Sequence, residues 1–181
     1  IQYALHKHCE IFATAGSETK INYLSEMGVH HPVNYNTQDF ETVAKKITNQ
    51  KGIDVIFDAV GGKSVKKGIR LLAPGGRIVC YGASALTNKN IFGKIKTALD
   101  FGFYHPAMLM MPSKSIIGIN MLKIADHQPQ VIERTLTEVM KLYSAGIFVP
   151  QIAKVFLGTA IDEAHEYLEN RKSIGKVVVQ W

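Results

Sequence analysis

Short apolar runs alternate along this chain with stretches of helical periodicity. Glu10-Ile11-Phe12-Ala13-Thr14-Ala15 reads as a buried strand, and Ser17 is placed to cap a helix that runs to Met27 and stops at Gly28. Residues 31–35 form a short strand pattern. Between 39 and 49, Phe40, Val43, Ala44 and Ile47 recur on one helical face. Residues 53–60 are apolar almost without interruption and end at Gly61-Gly62; a helix over 63–73 ends at Pro74-Gly75-Gly76, and a strand follows over 77–82. The pattern continues with a mobile or helical segment at 91–104, a strand at 115–122 and an amphipathic helix at 129–145. It closes with a strand at 154–157, a helix at 161–171 and a last strand at 175–180.

Strands separated by helical crossovers of this length predict an α/β fold built on a doubly wound parallel sheet. The apolar run Val55-Ile56-Phe57 does not alternate, as expected of a strand covered on both faces. Such a sheet places its ligand at the carboxyl ends of the strands. A sheet that binds dinucleotides also opens with a strand, a glycine-rich loop and a helix whose amino end receives the pyrophosphate. Residues 1–7 read as the tail of that helix, so the sheet is expected to be incomplete here, without its first strand and glycine loop.

Composition narrows the functional classes. The 181 residues carry 46% apolar side chains, with no run long enough to span a bilayer. The net charge of +6 comes from scattered lysines and arginines. The densest pairs, Lys45-Lys46 and Lys66-Lys67, read as solvated helix faces rather than as a nucleic-acid surface. Cys9 and Cys80 make neither a disulfide framework nor a zinc site; both read as buried thiols, consistent with a reducing, cytoplasmic setting. His30 and His31, as strand neighbours, point to opposite faces and cannot chelate together, so no metal is expected. Asp54 and Asp58 share a strand face about 13 Å apart, too far for a carboxylate pair, and Asp58 is expected to bond nearby backbone. The segment 101–111, rich in Phe, Tyr and Met, reads as core or as a subunit interface, ahead of a membrane-touching or substrate-lining loop.

The end of the second canonical strand position carries chemistry. A site selective for NAD puts Asp or Glu there, which an adenosine 2′-phosphate would repel. Here the sequence is Thr14-Ala15-Gly16-Ser17, with Lys20 one turn on, which supplies a hydroxyl, backbone amides at a helix start and a cation. A plain capped helix with a surface lysine fits the same residues.

The segments 12–35, Lys51-Gly52-Ile53-Asp54-Val55-Ile56-Phe57-Asp58-Ala59-Val60-Gly61, Leu71-Leu72-Ala73-Pro74-Gly75-Gly76-Arg77-Ile78-Val79-Cys80-Tyr81-Gly82 and Arg171-Lys172-Ser173-Ile174-Gly175-Lys176-Val177-Val178-Val179 resemble, in order and spacing, the zinc-free quinone oxidoreductases of the medium-chain dehydrogenase/reductase superfamily. Lys67-Gly68-Ile69-Arg70-Leu71-Leu72 and Ser84-Ala85-Leu86 look most like the vesicle amine transport protein homologues within that branch; enoyl reductase modules are similar but more distant. The resemblance implies a Rossmann-type NADP-binding domain over 1–146. It also implies that 147–181 returns to a catalytic domain amino-terminal to it. It assigns the adenosine 2′-phosphate to Lys20, Tyr35 and Arg171, beside the turn at Gly16 and Ser17. It places Ala59, Tyr81, Gly82, Ala83, Ser84 and Asn120 along the rest of NADPH. It names no catalytic residue in this chain.

The implied activity is hydride transfer from NADPH to a quinone or an α,β-unsaturated carbonyl, in a homodimer joined through the strand at 115–122. On that reading this portion is inactive by itself. A non-catalytic protein associated with vesicle membranes is the alternative, since the positive charge suits an anionic surface. A methyltransferase, suggested by the 54–60 strand alone, ranks last because the 2′-phosphate residues have no role in it.

Overall fold

The computed structural model describes residues 1–86, 90–170 and 173–181. Among these the strands are β1 (Phe12–Ala15), β2 (His31–Asn34), β3 (Ile53–Asp58), β4 (Leu72–Cys80), β5 (Ser115–Gly118), β6 (Ile152–Leu157) and β7 (Lys176–Gln180). The helices are α1 (Gln2–His6), α2 (Glu18–Glu26), α3 (Phe40–Ile47), α4 (Lys63–Leu71), α5 (Ile91–Phe101), α6 (Pro106–Met110), α7 (Met121–His127), α8 (Pro129–Ser144) and α9 (Ile161–Glu169). The fold is α/β, as the alternation predicts. Hydrogen bonding groups the strands as β1-β2, β3-β4-β5 and β6-β7. The pairs β3/β4, β4/β5 and β6/β7 are parallel.

The chain divides into two compact units. Residues 1–32 and 135–181 form one, and residues 33–134 the other. In the first, Ile11, Ala15, Leu24 and Val29 make a small core, packed by Ala4, Leu5, Ala13 and Ile21. Ser17 is the cap of α2: its Oγ accepts the Lys20 N–H at 3.4 Å. Gly28 follows with φ +83°, the left-handed turn that ends a helix. The side-chain amide of Gln2 clasps the backbone of Val149, donating at 2.9 Å and accepting at 3.2 Å. Residues 147–181 therefore belong to the same compact unit as 1–32.

In the second unit, Val65, Leu72 and Ile78 form the core of the β3-β4-β5 sheet, with Ile78 fully enclosed. Gly68 lets α4 approach that sheet: a Cβ there would meet Ile78 Cδ1 at 2.7 Å. β4 begins at Leu72, earlier than the pattern suggests, and carries Pro74-Gly75-Gly76 inside it. The register slips between Ile53 and Val55 to accommodate these turn residues. Lys114, just before β5, donates to the carbonyls of Ile69 and Arg70 at 2.8 and 3.4 Å and so satisfies the end of α4; burial lowers its pKa. α3 and α4 are joined by Glu41–Arg70 and Asp39–Lys67 ion pairs. The predicted solvated faces at Lys45 and Lys67 are thus engaged in pairs, since Lys45 also reaches Glu41.

Three further expectations are corrected. The strand expected over 115–122 stops at Gly118, and Asn120 caps α7 through its side chain, accepting the Lys123 N–H at 3.2 Å. Cys9 is exposed rather than buried, while Cys80 is half-buried. In the 101–111 segment only Phe101 packs into the core; Phe103, Met108, Met110 and Met111 are exposed, which removes the core reading for them but not that of a subunit interface.

Candidate functional site: the carboxyl ends of β3, β4 and β5

β3, β4 and β5 run parallel, so their carboxyl ends share one edge of the sheet, with Asp58, Cys80 and Gly118 nearly level. Beyond that edge the chain stays hydrogen-bonded. The Tyr81 N–H donates to the Asp58 carbonyl at 3.0 Å, Ser84 N–H to Ala59 at 3.1 Å, Ala85 N–H to Val60 at 2.9 Å, and Ile119 N–H to Cys80 at 2.9 Å. Five of the sequence-predicted contacts, Ala59, Tyr81, Gly82, Ala83 and Ser84, therefore sit on two strand extensions stitched into one shelf, and Ile119 ties the segment carrying Asn120 to it. Gly82 is needed at the seam: a Cβ would stand 2.8 Å from the Ala59 oxygen and 3.1 Å from its Cα. Tyr81 is 52% exposed, so its ring is available to a ligand.

Asp58 anchors the shelf from below. Its carboxylate is buried and accepts the N–H groups of Val60 at 3.0 Å and Gly61 at 2.6 Å, which is the backbone role expected from the sequence. Cys80, on the neighbouring strand, has its thiol pKa raised, first by burial and then by the charge of Asp58. Both effects favour the neutral thiol.

Of the other predicted contacts, Gly16, Ser17 and Lys20 lie at the turn from β1 into α2 in the first unit, with Lys20 half-buried on the first helical turn. Tyr35 follows β2 in the second unit and is 51% exposed. Arg171 lies outside the described residues. The first unit also holds a cleft of about 510 Å³ between α2, β6 and α9, lined by Tyr23, Glu26 and Tyr167 among others; none of the predicted contacts lines it.

His31 Nε2 lies 2.7 Å from Glu10, and His30 Nδ1 accepts the Ile11 N–H at 3.2 Å. Each ring is occupied by a different partner. Among the described residues no three His, Cys, Asp or Glu side chains are grouped to hold a metal ion.

A profile of the zinc-binding dehydrogenases matches residues 27–179. The chain belongs to that family. Within the medium-chain dehydrogenase/reductase superfamily it falls in the zinc-free quinone oxidoreductase branch. Among the described residues no donor set of this member fits the family's metal. The chain is similar to the synaptic vesicle membrane protein VAT-1 homolog of Danio rerio, 32% identical over 172 residues, covering 93% of this chain and 35% of that protein. It is also similar to the 2-haloacrylate reductase of a Burkholderia species, 27% identical over 99% of this chain and 50% of that protein. Among solved structures, the JamJ enoyl reductase in its apo form superposes with a TM-score of 0.78 at 26% identity, covering 99% of this chain and 49% of that one. A 2-haloacrylate reductase structure gives 0.75 at 26% identity, covering 100% and 52%. These neighbours are Rossmann-type domains of enoyl reductases and their kin, which settles the fold class. The chain spans about a third to a half of the length of these curated relatives.

Proposed function

We propose that this chain is the cofactor-binding portion of an NADPH-dependent reductase acting on a quinone or an α,β-unsaturated carbonyl. Several of its relatives are reductases, which supports an oxidoreductase that works on a small molecule. The observation that carries the proposal is the stitched shelf beyond β3 and β4, where the glycine at 82 lets the two strand extensions lie in close contact. NADPH, when bound, supplies the hydride. The chain's own residues bind and orient. Ala59, Tyr81, Gly82, Ala83, Ser84 and Asn120 line the ribose and nicotinamide portion, while Gly16, Ser17, Lys20, Tyr35 and Arg171 receive the adenosine 2′-phosphate. The absence of an acid at the end of β1 favours NADPH over NADH, because a carboxylate there would repel the phosphate.

The proposal includes a longer protein. β3 pairs with β4 alone among the described strands, and Phe57 on it is 69% exposed. An edge strand leaves a row of unpaired backbone N–H and C=O groups, so a further strand and its glycine loop would complete the sheet beside β3, and residues 147–181 would return toward a separate catalytic domain. β5 is the other edge of the same sheet, and pairing with a second copy there would give a cytoplasmic homodimer. The test is reduction of a panel of quinones and enones by the complete protein, followed by loss of reduced-nicotinamide absorbance. Turnover with NADPH on an enone or quinone supports the proposal; no turnover on any of them opposes it.

A second reading has its own observation. α5 exposes Ile91, Phe92, Ile95 and Leu99 beside Lys94 and Lys96, and several relatives are named for synaptic vesicle membranes. No described helix is long and apolar enough to cross a membrane. Salt-sensitive binding to phosphatidylserine vesicles without any response to NADPH would favour a vesicle-associated interaction protein over the reductase.

A further inference from the structure

We propose that Asp58 is a positioning residue for the cofactor shelf: by holding the backbone after β3, its carboxylate sets where Ala59 meets Gly82 and Ser84. The inference rests on the NADPH reading above and deepens it.

Burying a carboxylate is unfavourable unless its oxygens are satisfied. Asp58 is only 5% exposed, and no described lysine or arginine forms an ion pair with it. It is met instead by two backbone N–H groups on the same oxygen, those of Val60 and Gly61. Those bonds bend the chain back on itself just after the strand. The bend has two consequences. It turns the carbonyls of Ala59 and Val60 toward the Ser84 and Ala85 N–H groups on the β4 extension. It also puts Gly61 and Gly62 in left-handed conformations, φ +82° and +59°, where Phe101 and Thr97 of α5 pack directly on them. Thr97 is itself buried, with its hydroxyl donating to the Gly93 carbonyl at 2.9 Å, so α5 backs the bend with a rigid surface.

The shelf is therefore clamped from both sides. The carboxylate holds the β3 extension, and the missing side chain of Gly82 allows the β4 extension to lie against it. Release of the clamp lets Ala59 and Val60 leave their partners on 81–85, and the contacts proposed for the ribose and nicotinamide lose their common frame. The adenosine end, at the start of α2, does not depend on these bonds. This separation distinguishes positioning from general stability.

The experiment compares Asp58→Ala, Asp58→Asn and Gly82→Ala with the wild type in the complete protein, by calorimetry with two probes. NADPH reads the whole site; adenosine 2′,5′-bisphosphate reads only the 2′-phosphate end. Losing one or two net hydrogen bonds corresponds to about a tenfold change in affinity. Asp58→Ala is expected to weaken NADPH by about that factor or more and to leave adenosine bisphosphate binding within about twofold. Asp58→Asn keeps a side-chain carbonyl that accepts the same two bonds and is expected to restore most of the NADPH affinity. Gly82→Ala perturbs the same seam from the other strand; it is expected to reproduce the selective loss, and carries the test if Asp58→Ala does not fold. Equal loss of both probes, unchanged NADPH affinity, or an Asn variant as impaired as the Ala variant would overturn the assignment. A wild type that binds neither probe would overturn the NADPH reading itself.

Discussion

Replacement of Glu41 by Gln measures how much of the second unit's stability comes from one ion pair. Glu41 lies on α3 and is 9% exposed. Arg70 on α4 grips it with a two-pronged contact, Nε to Oε1 at 2.8 Å and Nη2 to Oε2 at 2.5 Å, and Lys45 adds a third bond at 2.8 Å. The Arg70 guanidinium is the main reason that the Glu41 pKa falls from 4.5 to about 2; burial opposes the fall, and Lys45 assists it. A drop of that size corresponds to about 3 kcal/mol favouring the folded state at neutral pH. The Arg70 side chain is 52% exposed, and water screens the pair, so the measurable contribution is about 1–2 kcal/mol. Because the folded-state pKa is the lower one, this stability is fully present above pH 4.5 and is lost as the pH falls toward 2. Urea unfolding of the wild type, Glu41→Gln, Arg70→Met and the double variant, at near-neutral and at acid pH, tests both parts. Glu41→Gln is expected to lose about 1–2 kcal/mol near neutrality and to show a flatter acid dependence, with the double variant costing less than the two single losses together. A Gln variant as stable as the wild type, with an unchanged acid profile, would refute the reasoning.

Gly52→Ala should destabilise by about 2–4 kcal/mol, because φ is +91° and a Cβ would lie 2.6 Å from the Ala73 nitrogen; denaturant unfolding measures it. Ser17→Ala, which removes the α2 cap, should cost about 1 kcal/mol, read as a small drop in melting temperature. Cys9 should react with a thiol reagent well before Cys80, and Asp58→Asn should speed the slow thiol by removing the second cause of its raised pKa. A Cys80 that modifies as fast as Cys9 would contradict the burial assigned to it.

Local signals made much of the fold legible. Ser17 and Asp39 cap helices because each offers an oxygen to an N–H three residues on, a relation contained in the sequence itself. The strand 53–58 and the breaks at Gly61-Gly62 are equally local. What the sequence hid is tertiary. Glu41 and Arg70 are 29 positions apart, and nothing in either neighbourhood announces the pair. Leu72 enters β4 although turn residues Pro74, Gly75 and Gly76 follow, since pairing with β3 overrides their local preference. Met121 and Leu122 read as the end of a strand but open a helix, because the Asn120 side chain caps it.

The candidate site divides in the same way. Ala59, Gly82 and Ser84 were named through the family resemblance, and the structure brings them together. The reason for Gly82 appears only when Ala59 is seen against it. Asp58 was assigned to backbone bonding from its position alone; its link to the shelf required the bonds from Ser84 and Ala85.

The most direct test of the central claim is calorimetric titration of the complete protein with NADPH and with NADH. NADPH is expected to bind about tenfold tighter than NADH or more, with the preference reduced by Lys20→Ala. Equal affinity for the two cofactors would contradict the 2′-phosphate assignment, and no binding of either would contradict the reductase reading.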